Sequence, residues 1–215
     1  MSKVLFLDCD STLSAIEGVD ELARLRGPEA EEEVEALTNA AMNGEVPIDE
    51  IFARRLDLIR PNRTMVHEVG SLYVDRVAPG CRDGLARLRE SGWKPIIVSG
   101  GFEQVIAPLA TALGIADVHA VPLIFDEIGE YAGFEESAPT ARNGGKPEIA
   151  REVLADHESA YSVMVGDGIS DMECRGVTDL VIGYGEFVAR PAVVAEADVF
   201  VRSFAELEAA LGKLG

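Results

Sequence analysis

Cysteine is scarce in this sequence of 215 residues: only Cys9, Cys81 and Cys174 occur, odd in number, far apart and without a CxxC pair. That excludes a disulfide framework and leads to the expectation of a reduced, cytoplasmic protein. Histidine is as rare, and His67, His119 and His157 are dispersed, which argues against a histidine-built zinc site. Basic charge is the third shortage: Lys and Arg number 19 against 38 acidic residues, for a formal charge of −19. Such a surface repels nucleic acid and anionic membranes, so neither is an expected partner, although a local cationic site can still bind phosphate. No apolar run approaches membrane-spanning length, and the chain enters a strand pattern at once, without signal-peptide features. There is no internal repeat and no low-complexity segment; the acid-rich stretch from Glu29 to Glu35 keeps helical spacing.

What is present begins with Val4-Leu5-Phe6-Leu7-Asp8-Cys9-Asp10-Ser11-Thr12, an apolar strand that ends in acid. Alternation along an extended segment lets Asp8 and Asp10 project the same way, where they repel unless a cation or a shared proton intervenes. An Asp-rich turn leading into a helix cap is the plainer reading of the same residues. Two further strand patterns end in glycine-bearing turns. Lys94 to Val98 runs into Ser99-Gly100-Gly101, with a helix from Phe102, and Tyr161 to Val165 runs into Gly166-Asp167-Gly168-Ile169-Ser170-Asp171. Short β-branched runs alternating with helical patterns predict βαβ units on a parallel sheet, with ligands beyond the carboxyl ends of the strands. Asp8, Asp10, Ser99, Asp167 and Asp171 would then meet at one edge. Backbone N–H groups at such glycines favour an anion, and a divalent metal reconciles that anion with the carboxylates. Lys146, in Gly144-Gly145-Lys146-Pro147, opens a helix where a cation opposes the macrodipole. It is either a solvated surface lysine or one reaching for an anion.

These four segments, in this order and spacing, resemble the motifs of the haloacid dehalogenase superfamily, and the chain is most similar to its phosphoserine phosphatase branch. The likeness runs from Val4 to the final helix near Leu211 and includes Glu130-Tyr131-Ala132-Gly133-Phe134 and Asp171-Met172-Glu173. It implies an α/β fold: a doubly wound, mostly parallel sheet with a Rossmann-like core and a small inserted α-helical cap. From Ser14 to Asp75 the sequence carries only helical patterns, punctuated by Gly27-Pro28, Gly44 and Arg60-Pro61-Asn62. The expected division is therefore a core of 1–13 and 76–215 with a cap of 14–75. Val121 to Phe125 and Glu130 to Phe134 read as a hairpin appended to the sheet.

Two charges in the cap segment carry the substrate question. Arg55 shares a helical stripe with Ile48, Phe52 and Ile59, and a guanidinium on an apolar face needs an anion, either a substrate carboxylate or an internal acid. Glu17 closes Ser14-Ala15-Ile16-Glu17, which fits a capping box. By resemblance, Glu17 receives the amino group of phosphoserine and Arg55 its carboxylate, while Met42 and Ile48 line the pocket. The resemblance further implies Mg²⁺ between Asp8, Asp167 and the Asp10 carbonyl, with Asp171 orienting that shell from outside. Asp8 is the implied nucleophile and Asp10 the acid and then base. Ser99, the Gly100 N–H and Lys146 are the implied holders of the phosphate oxygens. Ser170 stands where relatives often carry Asn or Thr. The expected partner is a small phosphorylated metabolite, O-phosphoserine. Another small phosphomonoester, or transfer of the phosphoryl group to a second alcohol, would use the same core. A receiver-like signalling module fits poorly, because it carries its acceptor Asp where this chain has Ser99 and lacks a helical insertion.

Overall fold

The computed structural model describes residues 3–43, 45–156 and 161–214, and the side chains of Met42, Ile48 and Leu214 lie outside that description. Gly44, expected to close the second helix, and His157 are outside it too. The described strands are β1 (Lys3–Leu7), β2 (Trp93–Phe102), β3 (Val118–Val121), β4 (Leu123–Phe125), β5 (Tyr131–Phe134), β6 (Tyr161–Gly166), β7 (Leu180–Tyr184) and β8 (Val199–Val201). The α-helices are α1 (Gly18–Arg26), α2 (Pro28–Met42), α3 (Ile48–Ile59), α4 (Arg63–Asp75), α5 (Cys81–Glu90), α6 (Glu103–Leu113), α7 (Gly145–Ala155), α8 (Ile169–Met172), α9 (Pro191–Glu196) and α10 (Phe204–Leu211).

Six strands form one sheet in the order β3-β2-β1-β6-β7-β8, every neighbouring pair parallel. β1 is central because its four apolar residues, Val4 to Leu7, are all fully buried. Leu5 and Leu7 join Ile97, Val163, Val165 and Ile182 in one apolar layer. Val4 and Phe6 join Ile96, Val98, Met164 and Val181 in the other. Burying each such side chain contributes about 1.5–3 kcal/mol. The chain leaves β1 toward β2 on one side and returns through β6 on the other, so strand order reverses at the β1/β6 pair. The crevice beyond the carboxyl ends of those two strands is where an open parallel sheet binds its ligand. Asp8 directly follows β1, and Asp167 directly follows β6.

Helices α1 to α4 fill the interval between β1 and α5. The segment's two ends are zipped together: Ser14 bridges Val77, the Ala15 N–H donates to the Arg76 carbonyl at 2.8 Å, and the Ala78 N–H donates to the Leu13 carbonyl at 2.9 Å. α4 packs on α6, with Val66, Val69 and Tyr73 buried in the same apolar layer as Leu5 and Leu7. α3 ends on Arg60 in a left-handed conformation (φ 43°), ahead of Pro61.

Two strand expectations need correction. β2 does not stop at Val98 but continues through Ser99-Gly100-Gly101 to Phe102, its pairing with β3 shifting register over that stretch. Val121 to Phe125 is not one strand, because Pro122 has no N–H to continue a ladder. Val121 ends β3 in the parallel sheet, while β4 pairs antiparallel with β5 as a separate ribbon. Phe134 of that ribbon packs on Phe52 of α3, at 5.0 Å between ring centroids. Among the described residues, no helix is long and apolar enough to cross a membrane.

Candidate active site

The turn after β1 is built on one carbonyl. Leu13 and Ser14 donate to the Cys9 carbonyl at 2.9 and 3.0 Å, and Ser11 takes a left-handed conformation (φ 48°). Positive φ at a residue other than glycine is a strained choice that surrounding contacts must hold. The Ser11 hydroxyl does so by donating to Glu17 Oε1 at 2.7 Å. No helix starts here; α1 begins at Gly18, so Asp8 and Asp10 are not helix caps. Asp8 Oδ1 accepts the Cys9 N–H at 2.7 Å, and both carboxyls are buried. Asp10 accepts a short bond from the Tyr73 hydroxyl. Burial first, then the Glu17 and Asp8 charges, push the Asp10 carboxyl well above its ordinary range. That shift favours the protonated form of the acid.

Lys146 is not a solvated surface lysine. It is buried, with Nζ 2.9 Å from Asp8 Oδ2 and 2.7 Å from Asp171 Oδ1. Burial works against its charge, but the two carboxylates outweigh it and hold the ammonium above its ordinary value. Burial lifts Asp171 to about 7 against the pull of Lys146. The 2.7 Å contact, and the Gly168 N–H donated to Asp171 Oδ2 at 3.0 Å, favour the charged pair. Two glycines make this approach possible. A Cβ at Gly166 would sit 2.1 Å from the Asp171 carboxyl, and one at Gly145 would sit 1.8 Å from the Pro139 carbonyl oxygen.

Asp8, Asp167 and Asp171 each offer an oxygen within 4.8 Å of the others. An all-oxygen set suits a hard divalent cation and not a thiolate- or imidazole-seeking one. Asp167 Oδ1 is buried without a hydrogen-bond partner, although its other oxygen is paired, so these residues fit a cation. Burial, then the Glu17 and Asp8 charges, raise the Asp167 carboxyl well above its ordinary range.

One largely enclosed cavity collects the expected residues: Asp8, Asp10, Glu17, Arg55, Ser99, Gly100, Lys146 and Ser170 all line it. Ser99 Oγ accepts the Gly101 N–H at 3.0 Å. Met42 and Ile48 were also expected here, but their side chains lie outside the described residues. The capping-box reading of Glu17 is corrected. Ser14 Oγ lies 3.3 Å from the Tyr73 and Arg76 carbonyls, and Glu17 makes no side-chain cap. Instead Glu17 takes Ser11 and Arg190, leaving Oε2 buried and unpartnered, and burial raises its carboxyl. Arg55 donates to Thr38 Oγ1 at 3.2 Å, and Thr38 donates on to Asp20 at 2.8 Å. Its Nε is buried without a partner, and among the described residues no carboxylate lies within ion-pair distance of it. Burial lowers the Arg55 guanidinium from its ordinary value.

The sequence profile of haloacid dehalogenase-like hydrolases matches residues 5–174. The chain belongs to that family. Phosphoserine phosphatase of Bos taurus is 38% identical over 206 residues, covering 95% of this chain and 91% of the relative. A substrate-bound phosphoserine phosphatase complex superposes at a TM-score of 0.85 with 25% identity, covering 98% of each chain. A phospho-aspartyl intermediate analogue of phosphoserine phosphatase gives 0.84 and 26%, covering 97% of this chain and 98% of the other.

Tyr73 and Arg190, both in contact with the site's acids, escaped sequence reasoning. Tyr73 looks like one more apolar position on α4, beside Val66 and Val69. Arg190 precedes Pro191 at the start of α9, the same anti-dipole placement that singles out Lys146, and that signal could have found it.

The buried carboxyls make the metal-free hydrolase pH-sensitive. Folding raises Asp10 and Asp167 above 3.8, so the folded state binds more protons than the unfolded state. Their contribution is present below that ordinary value and is lost as pH rises toward the folded values. A divalent ion held among these acids would remove the repulsion. The melting-temperature gap between Mg²⁺-loaded and chelated protein is therefore expected to widen by roughly 5 °C or more from about pH 5 to about pH 8. A gap that stays flat in differential scanning calorimetry would contradict this electrostatic reading.

Proposed function

We propose that this hydrolase converts O-phosphoserine and water to serine and phosphate, using Mg²⁺ and an aspartyl-phosphate on Asp8. The observation that carries the substrate is a pair of buried, unpartnered atoms of opposite charge, Glu17 Oε2 and Arg55 Nε, on residues lining the cavity that also holds Asp8 and Lys146. Leaving such groups unpaired costs about 1–3 kcal/mol each. An amino-acid zwitterion, ammonium to Glu17 and carboxylate to Arg55, satisfies both. The names of the similar proteins agree with that choice.

Asp8 and Asp167, with the Asp10 backbone carbonyl, would hold Mg²⁺, and Asp171 would orient the set from outside. When bound, the ion neutralises the carboxylates and the phosphate so that one anion can approach another. The Asp8 carboxylate attacks phosphorus in line, forming the O–P bond as the bond to the serine oxygen breaks. Asp10, whose burial favours the protonated form, gives its proton to that oxygen, then takes one from the water that cleaves the aspartyl-phosphate. Ser99, the Gly100 N–H and Lys146 hold the equatorial oxygens as charge spreads over them. Ser170 supplies a hydroxyl at the cavity wall.

Residues 14–75 serve as the cap on a core of 1–13 and 76–215. The zipped ends at Ser14 and Val77 support that division, as does the reach of Glu17 and Arg55 into the cavity. Three free, buried cysteines support a reducing compartment, the cytoplasm. A panel of phosphoserine, phosphothreonine, phosphoethanolamine and p-nitrophenyl phosphate tests the whole reading. Phosphoserine should be preferred, chelation should abolish phosphate release and Mg²⁺ should restore it. Full activity after exhaustive chelation would rule out the ligand set. Efficient transfer to an added alcohol in place of phosphate release would favour a phosphotransferase.

A further inference from the structure

We propose that Arg190 is the standing counter-cation of the metal site, and that its charge keeps the site's divalent-ion affinity low. The inference rests on the reading of Asp8 and Asp167 as the cation-binding pair. Arg190 is buried, with Nε 3.2 Å from Asp167 Oδ2 and a terminal nitrogen 3.7 Å from Glu17 Oε1. It comes from neither the helical insertion nor the strand ends that carry the acids, but from the residue that opens α9.

The charge balance of the pocket shows what it does. Asp8, Asp10, Asp167 and Asp171 are all buried, and Glu17 is largely so. The buried cations in direct contact with them are Lys146, placed between Asp8 and Asp171, and Arg190, placed between Asp167 and Glu17. Their partners do not overlap, Asp10 being left to the Tyr73 hydroxyl, and among the described residues Arg190 is the ion-pair partner of Asp167. It takes one carboxylate oxygen and leaves Oδ1 free to meet a cation. Arg190 thus has two opposed effects. Its hydrogen bond orients Asp167, and its charge, one carboxylate away from any bound ion, repels that ion. Charge acts strongly in so buried a pocket, whereas a neutral amide can still donate to Oδ2, so the repulsion dominates once orientation is preserved. Arg190 is a positioning residue here, acting on the ion through Asp167.

Isothermal titration of Mg²⁺ into the full chain, without phosphate or substrate, reads this directly. Arg190→Gln keeps a donor and removes the charge, and should bind Mg²⁺ at least about fivefold more tightly than the native protein. Arg190→Lys restores the charge and should return affinity to near the native value. The metal-free Arg190→Gln protein should melt lower than the native one and gain more from Mg²⁺. Should that variant fold only when Mg²⁺ is present, the ion is replacing the lost charge, which supports the inference. A folded Arg190→Gln that binds Mg²⁺ equally or more weakly would overturn it, because a merely structural arginine gives that result. So would failure of Arg190→Gln and Arg190→Met to fold even with Mg²⁺ present. A native protein that binds no Mg²⁺ would instead overturn the metal reading itself, and this inference with it.

Discussion

Asp8→Asn is expected to lower phosphate release by on the order of 10⁴-fold or more while leaving the fold intact. The loss follows from removing the proposed nucleophile, since a neutral amide lacks the carboxylate's charge and is a far weaker nucleophile. The fold should survive for reasons visible around the residue. The Asn carbonyl can still accept the Cys9 N–H that Asp8 Oδ1 accepts at 2.7 Å, and Lys146 keeps its 2.7 Å contact with Asp171. Removing one of several crowded carboxylates also relieves repulsion on Asp10 and Asp167, for which the Asp8 charge is one of the causes of their raised values. Steady-state phosphate assay and thermal melting of the same preparation check both halves. Asp10→Asn should differ in kind: with a good leaving group it should still form the aspartyl-phosphate but hydrolyse it slowly, so mass spectrometry should find the adduct on Asp8. Near-native turnover in Asp8→Asn would end the covalent mechanism.

The sequence made this site readable because a parallel sheet aligns the ends of its strands. Asp8, Ser99 and Asp167 are scattered along the chain, yet β1, β2 and β6 are in parallel register, with Leu7 opposite both Ile97 and Val165. The unbroken apolar run Val4 to Leu7 announced a buried strand, and glycines beside Lys146 and Asp167 announced close approach. What stayed hidden depended on contacts without local spacing. Glu17 satisfied a capping pattern but is claimed by Ser11 and Arg190, a tertiary arrangement that overrides the local one. Tyr73 has helical apolar periodicity, and nothing in it marks the hydroxyl that meets Asp10. The break at Pro122 was legible in principle, since a proline cannot continue a ladder, but the apolar run on both sides masked it.

Arg55→Ala is the substitution that separates substrate recognition from architecture. If Arg55 binds the substrate carboxylate, losing that desolvated pair should cost on the order of 2–5 kcal/mol in kcat/KM for phosphoserine, carried mainly by KM. That is at least about a thirtyfold loss. Hydrolysis of p-nitrophenyl phosphate, which has no carboxylate, should hardly change, because Asp8, Lys146 and Asp167 do not touch the guanidinium. Phosphoethanolamine should already be a poor substrate of the native hydrolase and should respond little to the substitution. The competing account is structural: Arg55 bonds Thr38, lies over the Phe52 ring at 5.6 Å from its centroid and feels the Asp20 charge. That account expects a lower melting temperature and an equal loss on every ester, since a loosened α3 would disturb the cavity for all of them. The unpartnered Nε favours the first account, because an arginine whose task was to pin helices would have its buried nitrogens paired by the protein itself. A parallel fall for phosphoserine and p-nitrophenyl phosphate would reverse that judgement and remove the main physical argument for an amino-acid substrate.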